Sequence, residues 1–161
     1  MTAGLHIRAA EAGDVMPLAG ALAPLPLFSA YGFSAAELGE RFHGALSRGE
    51  GLLVALLGDA PVGACWFLES GTFATGSYLR LLAVKPGLQG QGVGETLLRA
   101  WEGRGGSAKG GLFLLASDFN EAAHRFYVRH GYREVGRLPG FARPGVTEVI
   151  FWKPRSGSSQ T

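Results

Sequence analysis

The chain has 161 residues, of which 47% are hydrophobic, so it is long and apolar enough for one domain with a buried core. Its formal net charge of +2 is too small, and its basic residues are too scattered, to indicate a nucleic-acid partner. One cysteine excludes an intramolecular disulfide, and the four histidines show no zinc-ligand spacing, so no metal site is predicted.

The N-terminal stretch MTAGLHIRAAEAGD lacks the basic start and the apolar run of a signal peptide. No apolar run approaches the roughly 18 residues of a membrane span. Cys65 lies in the apolar run VGACWFL, which favours a buried thiol over a nucleophile. The sequence therefore predicts a cytoplasmic protein with no membrane partner.

The first half of the chain predicts two helices and a meander of strands. Pro24 and Pro26 are expected to end the first helix, and Ser34 with Glu37 forms a capping box that opens the second. In chain order we expect a strand over 5–9, a helix from about Ala10, an aromatic loop over 27–33, a helix to about Ser47, and strands over 51–57, 61–70 and 77–84.

The second half predicts alternating helices and strands. Asn120 is a good helix N-cap, and Gly131 is a good stop for the same helix. In chain order we expect a helix from Val93, a strand over 112–117, the helix after Asn120, and strands over 132–138 and 146–153. This order indicates an α/β fold in which residues 1–154 form one domain, and residues 155–161 a disordered tail.

The stretch LLAVKPGLQGQGVGETLLRAWE, residues 81–102, places glycines between a predicted strand and a predicted helix. Glycine lets backbone approach a ligand closely, and a helix N-terminus attracts anions, so this turn predicts a phosphate site. A P-loop would need a Lys-Ser/Thr pair after the glycines, where Glu95 and Thr96 stand. A dinucleotide fingerprint would need a glycine in place of Glu95. Neither nucleotide-binding motif is present.

The spacing that does fit is Gln-x-x-Gly-x-Gly, filled by Gln89, Gly92 and Gly94. At these residues the chain resembles the GNAT superfamily of N-acetyltransferases, and SDFNEAAHRFYVRHGY resembles that family's following motif. The resemblance implies an acyl-CoA N-acyltransferase-like fold, a mixed and mostly antiparallel sheet of about seven strands with about four helices. It also implies acetyl-CoA as cofactor and transfer of its acetyl group to a primary amine of a small molecule or peptide.

The resemblance further implies roles for single residues. Asn120 would reach the pantetheine arm, Phe126 would pack along the cofactor, and Tyr127 would protonate the departing thiolate. The cofactor's pyrophosphate would lie on the backbone of Gln89, Gly90, Gln91, Gly92, Val93 and Gly94. The strand edge at Leu82, Ala83 and Val84 would pair with the pantetheine amides.

The base that takes the acceptor's proton is open at this stage. Many family members carry a glutamate early on the strand before the glycine loop, and that position falls near Tyr78 here. Glu69 is the next candidate, although it could equally be a solvated turn residue. Asp118 is another, and a chain of water molecules with no single base is a third alternative.

The acceptor pocket is predicted from the variable aromatic segments, although these rings could equally fasten helices to the sheet. The aromatic residues concerned are Phe28, Tyr31, Phe33 and Phe141. Arg80 either binds an acidic acceptor group or is a paired edge residue. The competing functions are a non-catalytic acyl-CoA-binding sensor and a nucleotide-binding module. A homodimer is compatible with the resemblance but is specified by no motif.

Overall fold

A computed structural model describes residues 3–105 and 108–155. Its seven strands form one sheet with the order β1-β2-β3-β4-β5-β7-β6. The strands are β1 (Leu5–Ala9), β2 (Gly51–Leu57), β3 (Ala60–Thr72), β4 (Gly76–Val84), β5 (Leu112–Ser117), β6 (Arg133–Pro139) and β7 (Thr147–Lys153). Of the ladders described, only β4–β5 is parallel, which confirms the mixed, mostly antiparallel sheet.

Within the described residues the chain forms a short 3-10 helix and five α-helices, one more than predicted. The 3-10 helix covers Ala12–Asp14, and the α-helices are α1 (Val15–Leu22), α2 (Pro26–Ala30), α3 (Ala35–Ser47), α4 (Val93–Gly105) and α5 (Glu121–Arg129). The additional helix is α2, and it corrects the prediction of an aromatic loop. Pro26 occupies the first helical position, where its missing N–H has no partner to lose, so it starts a helix rather than only ending one.

The predicted start of the first helix near Ala10 also needs correction. The Asp14 carboxylate accepts a hydrogen bond from the Glu11 N–H at 2.7 Å, which closes a 3-10 turn before α1 begins at Val15. Pro17 then lies in the first turn of α1, where it breaks no helical hydrogen bond. The capping box of α3 is confirmed, since the Ser34 side chain accepts from the Glu37 N–H at 3.2 Å.

The described residues separate into two compact units. The first unit contains the residues up to Leu68 together with Leu81–Gly103, and the second contains Glu69–Arg80 together with the residues from Arg104 onward. The predicted tail residues 156–161 lie outside the described part of the chain. No helix among the described residues is long and apolar enough to cross a membrane.

The core of the first unit is formed by α1, α3 and the inner strands. Phe42 packs edge-on against Trp66 with ring centroids 6.2 Å apart, and the Trp66 indole N–H donates to Glu50 at 2.7 Å. α4 packs against β3 at Gly63, where a Cβ atom would lie 2.9 Å from Leu97. The predicted helix from Val93 is confirmed, and its apolar stripe is buried: Val93, Leu97, Leu98 and Trp101.

In the second unit, α5 packs on one face of the β5–β7 pair. Tyr127 lies 6.2 Å from Phe151 between ring centroids, and His124 lies 5.1 Å from the same ring. Gly131 ends the helix with a φ of +93°, which confirms its predicted role as the stop. Because residues alternate along a strand, Ile150 and Trp152 on β7 face away from α5.

Candidate active site

The glycine stretch of the first unit forms an open turn immediately before α4. Gly90 and Gly92 have φ values of +75° and +88°, a backbone conformation that residues with side chains rarely adopt. No atom lies within 4 Å of the position that a Cβ would take at either glycine. The backbone of this turn is therefore accessible to a ligand, and the two glycines serve the turn's conformation rather than internal packing.

The helix that follows the turn presents its N-terminal N–H groups. The Thr96 N–H donates to the Gly92 carbonyl at 3.0 Å, so α4 begins immediately after Gly92. The first N–H groups of a helix have no partner within it, and together with the helix dipole they favour an anion. The side-chain amide of Gln91 donates to the Gly87 carbonyl at 3.2 Å, and this bond joins the two ends of the turn. These residues fit a pyrophosphate group such as that of acetyl-CoA.

The strand end before this turn is the second feature of the first unit. Ala83 is buried, whereas Leu82 and Val84 are half-buried. After the strand, the Lys85 N–H donates to the Val62 carbonyl at 2.8 Å, which holds the start of the turn against β3. Leu82, Ala83 and Val84 thus form the end of β4, ahead of the loop that contains the glycines.

The segment from Asn120 to Tyr127 belongs to the second unit. Asn120 is the N-cap of α5, as predicted, and its side-chain oxygen accepts from the Ala123 N–H at 3.2 Å. Phe126 is half-buried and lies 5.2 Å from the Tyr127 ring and 4.5 Å from the His130 ring, between centroids. Tyr127 itself is only 8% exposed. Aromatic contacts on several sides restrict the orientation of its phenol.

Glu69 and Asp118, the two acids considered as bases, lie in different parts of the second unit. Glu69 is exposed in an open cavity of about 280 Å³, which Arg104 and Lys109 also line. Asp118 is exposed, and its carboxylate accepts from the Thr147 N–H at 3.4 Å. The Asp118 N–H donates to the Thr147 carbonyl at 2.9 Å, so this acid helps to join β5 to the start of β7.

A buried carboxylate on β7 was not predicted from the sequence. Glu148 is 6% exposed, and its Oε1 accepts from the Ser117 hydroxyl at 2.9 Å. Tyr78 on β4 lies near enough to Glu148 and Arg80 to interact electrostatically with both. Burial raises the pKa of Tyr78, Arg80 counteracts that increase, and Glu148 adds to it. The one feature of the sequence that could have indicated this burial is the alternation along the strand. Glu148 alternates with Ile150 and Trp152, so it shares their face of β7.

The aromatic residues considered for the acceptor pocket have different environments. Phe28 is 5% exposed and belongs to the core of the first unit, so it fastens α2 to that core. Tyr31 stacks on Phe33, and the Arg41 guanidinium lies 4.3 Å from the Phe33 ring centroid. Phe141, in the second unit, is 65% exposed. Across residues 3–105 and 108–155, no group of three or more His, Cys, Asp or Glu residues could hold a metal ion.

Residues 48–134, more than half of the chain, match the family model described as an acetyltransferase (GNAT) domain. No curated protein sequence matches the chain.

Several solved structures share the fold. Aminoglycoside 6'-acetyltransferase type Ii is similar at 21% identity and a TM-score of 0.77, over 96% of this chain and 99% of that chain. An aminoglycoside 6'-N-acetyltransferase complexed with coenzyme A has 17% identity and a TM-score of 0.78, over 96% of this chain and 99% of that chain. The ribosomal-protein-S18-alanine N-acetyltransferase from Escherichia coli has 16% identity and a TM-score of 0.74, over 98% of this chain and 97% of that chain.

These findings confirm the family, the fold and the class of enzyme that the two motifs predicted. The family match begins at Arg48 and ends at Glu134, so it includes both the glycine turn and the Asn120–Tyr127 segment. The chain belongs to the GNAT acetyltransferase family, whose enzymes take an acetyl group from acetyl-CoA.

Proposed function

We propose that this protein transfers the acetyl group of acetyl-CoA to a primary amine by direct attack, with Tyr127 as the general acid. The observation that carries the proposal is the open glycine turn at the start of α4. Gly90 and Gly92 offer accessible backbone beside the unpaired N–H groups of a helix. Such a site suits the pyrophosphate of coenzyme A, and it contains no Lys-Ser/Thr pair for a nucleotide triphosphate.

The remaining cofactor contacts follow the family motifs. We propose that the backbone from Gln89 through Gly94 binds the pyrophosphate. In this proposal the edge of β4 at Leu82–Val84 pairs with the pantetheine amides. The Asn120 side chain has its oxygen in the helix cap, which leaves its amide N–H groups to donate to the same arm. Phe126 packs along the cofactor.

The transfer needs a neutral amine, a polarised carbonyl and a proton for the sulfur. Acetyl-CoA supplies the acetyl group as a thioester. The Tyr127 phenol donates its proton to the thiolate, and its ring contacts with Phe126, Tyr132 and Phe151 keep it in one orientation. For the base, Glu69, Asp118 and a chain of water molecules are the candidates that the sequence supplies.

The acceptor is proposed to be a primary amine on a small molecule or a peptide. Support comes from two enzymes with similar structures, an aminoglycoside 6'-N-acetyltransferase and a ribosomal-protein-S18-alanine N-acetyltransferase. Both are N-acetyltransferases, one of an aminoglycoside and the other of a ribosomal protein. A cytoplasmic location and a homodimer stay predictions of the sequence.

Thermal unfolding with acetyl-CoA, NAD or ATP tests the cofactor site. A ligand at 100 times its dissociation constant stabilises a protein by about 2.7 kcal/mol, which is several degrees for a domain of this size. We expect acetyl-CoA alone to raise the midpoint, and Gly92→Glu to abolish that increase. The matched control is Gly49→Glu, because Gly49 has a similar φ of +71° and equally open surroundings. Stabilisation by NAD or ATP instead would refute the proposal.

Turnover with a panel of primary amines tests the chemistry. We expect Tyr127→Phe to lower kcat by about 100-fold or more, the usual contribution of a general acid. The acetyl-CoA-induced rise in midpoint should persist in this variant, because the phenol is not proposed to bind the cofactor. If the wild-type protein binds acetyl-CoA but acetylates no amine, it is an acyl-CoA sensor and not a transferase.

A further inference from the structure

Glu148 is a buried carboxylate in the interior of the second unit's sheet. It lies on β7, opposite Ser117 of β5 on one side and opposite Leu138 of β6 on the other. Only 6% of the residue is exposed. An ionised carboxylate loses its hydration in such a place, and it is retained only where a partner compensates that loss.

The partners that the fold provides for Glu148 do not neutralise its charge. The Ser117 hydroxyl donates to Oε1 at 2.9 Å. Within residues 3–105 and 108–155, no Lys, Arg or His side chain forms an ion pair with Glu148. One neutral hydroxyl is a weak substitute for a cation, and the Oε2 oxygen keeps its capacity to accept hydrogen bonds.

The surroundings of Glu148 are those of a site for an amine with an apolar part. Paired residues on neighbouring strands share a face, and the register pairs Tyr78 with Phe113, Phe113 with Trp152, and Ser117 with Glu148. Tyr78, Phe113 and Trp152 are half-buried, so their rings keep part of their surface accessible. Phe113 and Trp152 lie four residues along their strands from Ser117 and Glu148, roughly 13 Å at about 3.3 Å per residue. Of the three rings, Tyr78 is the one that interacts electrostatically with Glu148. An aromatic ring near a carboxylate favours an organic cation, since both attract positive charge.

The opposite face of the same strands carries the proposed acid. Tyr127 packs on Phe151, which alternates with Ile150 and Trp152 along β7. Glu148 and Tyr127 therefore lie on opposite faces of the β5–β7 pair. The β4–β5 ladder pairs Ser77–Leu79 with Leu112–Leu114, so Ser117 and Glu148 lie beyond its last pair. An acetyl group placed beyond that pair, beside β5, can meet a base on one face of the sheet and an acid on the other.

We propose that Glu148 binds the ammonium group of the acceptor and takes its proton, in place of Glu69 or Asp118. This inference rests on the proposed function, because it needs an amine acceptor. Ser117 acts as a positioning residue, since it holds Oε1 and leaves Oε2 toward the ligand. The half-buried Tyr78 ring contacts the apolar part of the acceptor, and Phe113 and Trp152 line the same face farther along the strands.

The step balances without a further reactant. One N–H proton of the ammonium passes to a Glu148 oxygen, and the neutral nitrogen forms a bond to the acetyl carbonyl carbon. The carbon–sulfur bond breaks and its electron pair stays on sulfur. Sulfur takes the proton of the Tyr127 phenol, and the second proton lost by the nitrogen passes through water to the Tyr127 phenolate, which restores the phenol. Glu148 then releases its proton to water, so the net reaction liberates one proton for each ammonium consumed.

Probe binding tests the ammonium site without turnover. Benzylammonium and benzyl alcohol have nearly the same shape, and only the former is charged. By titration calorimetry at pH 7, we expect the wild-type protein to bind benzylammonium at least about tenfold more tightly, as for a charge-assisted hydrogen bond. Glu148→Gln should remove this preference, whereas Glu134→Gln, a change of an exposed acid on β6, should retain it. A wild-type protein without the preference would overturn the proposal.

The pH profile of turnover separates a base from a merely structural carboxylate. The titratable and charged groups around Glu148 are Tyr78 and Arg80 on β4 and His124 of α5, whose ring binds the Ser117 carbonyl; Leu138 of β6 carries none. We expect kcat/KM of Glu148→Gln at pH 7 to be about 100-fold lower than that of the wild type. It should then rise about tenfold per pH unit, in proportion to the unprotonated fraction of the acceptor amine. A constant deficit at every pH would indicate a structural role and refute the assignment.

Glu69→Gln and Asp118→Asn are the competing variants in the same two experiments. If either of them, rather than Glu148→Gln, loses the preference for benzylammonium and shows the rising pH profile, the proposal is wrong. If the wild-type protein binds acetyl-CoA but acetylates no amine, the proposed transferase function fails. The benzylammonium comparison then still decides whether Glu148 forms an ammonium site.

Discussion

Two carboxylates of this protein are both sheltered from water but differ in their partners. Asp14, beside β1 in the first unit, accepts from Arg8 Nη1 at 2.7 Å and Nη2 at 2.9 Å. It also accepts from the Glu11 N–H at 2.7 Å. Glu148, on β7 in the second unit, accepts from one hydroxyl. Asp14 has a fork of cationic donors, whereas Glu148 has none within the described residues.

The difference shows how one kind of side chain can serve stability or binding. Arg8 holds the pKa of Asp14 below its usual value, mainly through its hydrogen bonds, so the ionised form is favoured by folding. The charge of Glu148 is not compensated in this way and is available to a cationic ligand. Carboxylates with complete sets of partners stabilise the fold, and those with incomplete sets are candidates for function.

The largest effect that separates the two carboxylates is on turnover. Asp14→Asn should leave kcat/KM within about twofold, whereas Glu148→Gln should reduce it about 100-fold at neutral pH. The physical reason is that only Glu148 is proposed to accept a proton from the substrate. Steady-state kinetics with the best amine of the panel measures both variants. Equal losses of kcat/KM in the two variants would contradict a catalytic role that belongs to Glu148 alone.

Stability should respond in the opposite order. Asp14→Asn removes the ionic partner of Arg8 and weakens the cap of the 3-10 turn, so we expect a loss of about 1 kcal/mol, or about 2–4 °C in midpoint. Glu148→Gln replaces a buried charge without a cation by a neutral amide, so its midpoint should not fall. Thermal unfolding at pH 7 followed by circular dichroism measures both. A large destabilisation by Glu148→Gln would show that the carboxylate is structural.

The pH dependence of stability sharpens the assignment of Asp14. Its folded pKa is lowered, so its contribution is present above the unfolded value of about 3.9 and is lost as the pH falls through the folded pKa. The midpoint gap between the wild type and Asp14→Asn should therefore be full at pH 6 and should shrink below pH 4. A gap that stays constant down to pH 2 would exclude the charged contact as its origin.

The smallest expected effect concerns the neighbour of Glu148. Tyr78 has its pKa raised by burial, lowered in part by Arg80 and raised by Glu148. Glu148→Gln should therefore lower the pKa of Tyr78, and Arg80→Gln should raise it. NMR titration of ring-labelled tyrosine, with Tyr78→Phe to identify the signal, follows both changes. If the pKa of Tyr78 is the same in Glu148→Gln as in the wild type, the two side chains do not interact, and this result would contradict the proposed site.

Most of the fold could be predicted from local patterns. The cap residues Ser34 and Asn120 and the stop at Gly131 fall where the sequence placed them, because capping depends on groups within one turn. The structural role of Pro26 was ambiguous in the sequence, since a proline can end one helix or start another. The residues around it determine which of the two it does. β3 was predicted too short, because it begins at Ala60 and continues to Thr72 through Gly71, a residue of low strand propensity.

The candidate site was predictable only where it follows the chain. The glycine turn and the segment from Asn120 to Tyr127 are contiguous, so their motifs are visible in the sequence. Glu148 was missed because its partner Ser117 is 31 residues away in sequence. Its burial arises from the pairing of β7 between β5 and β6, an order that the chain sequence alone does not reveal.

Cys65, the only cysteine, is fully buried in β3. Transfer of an acetyl group from acetyl-CoA liberates coenzyme A with a free thiol, which chromogenic disulfide reagents detect. The folded protein should contribute almost no background to such an assay, because its own thiol is shielded. The same reagent, added without substrate, would react with Cys65 only when the strand opens, and its rate would report spontaneous opening of the first unit.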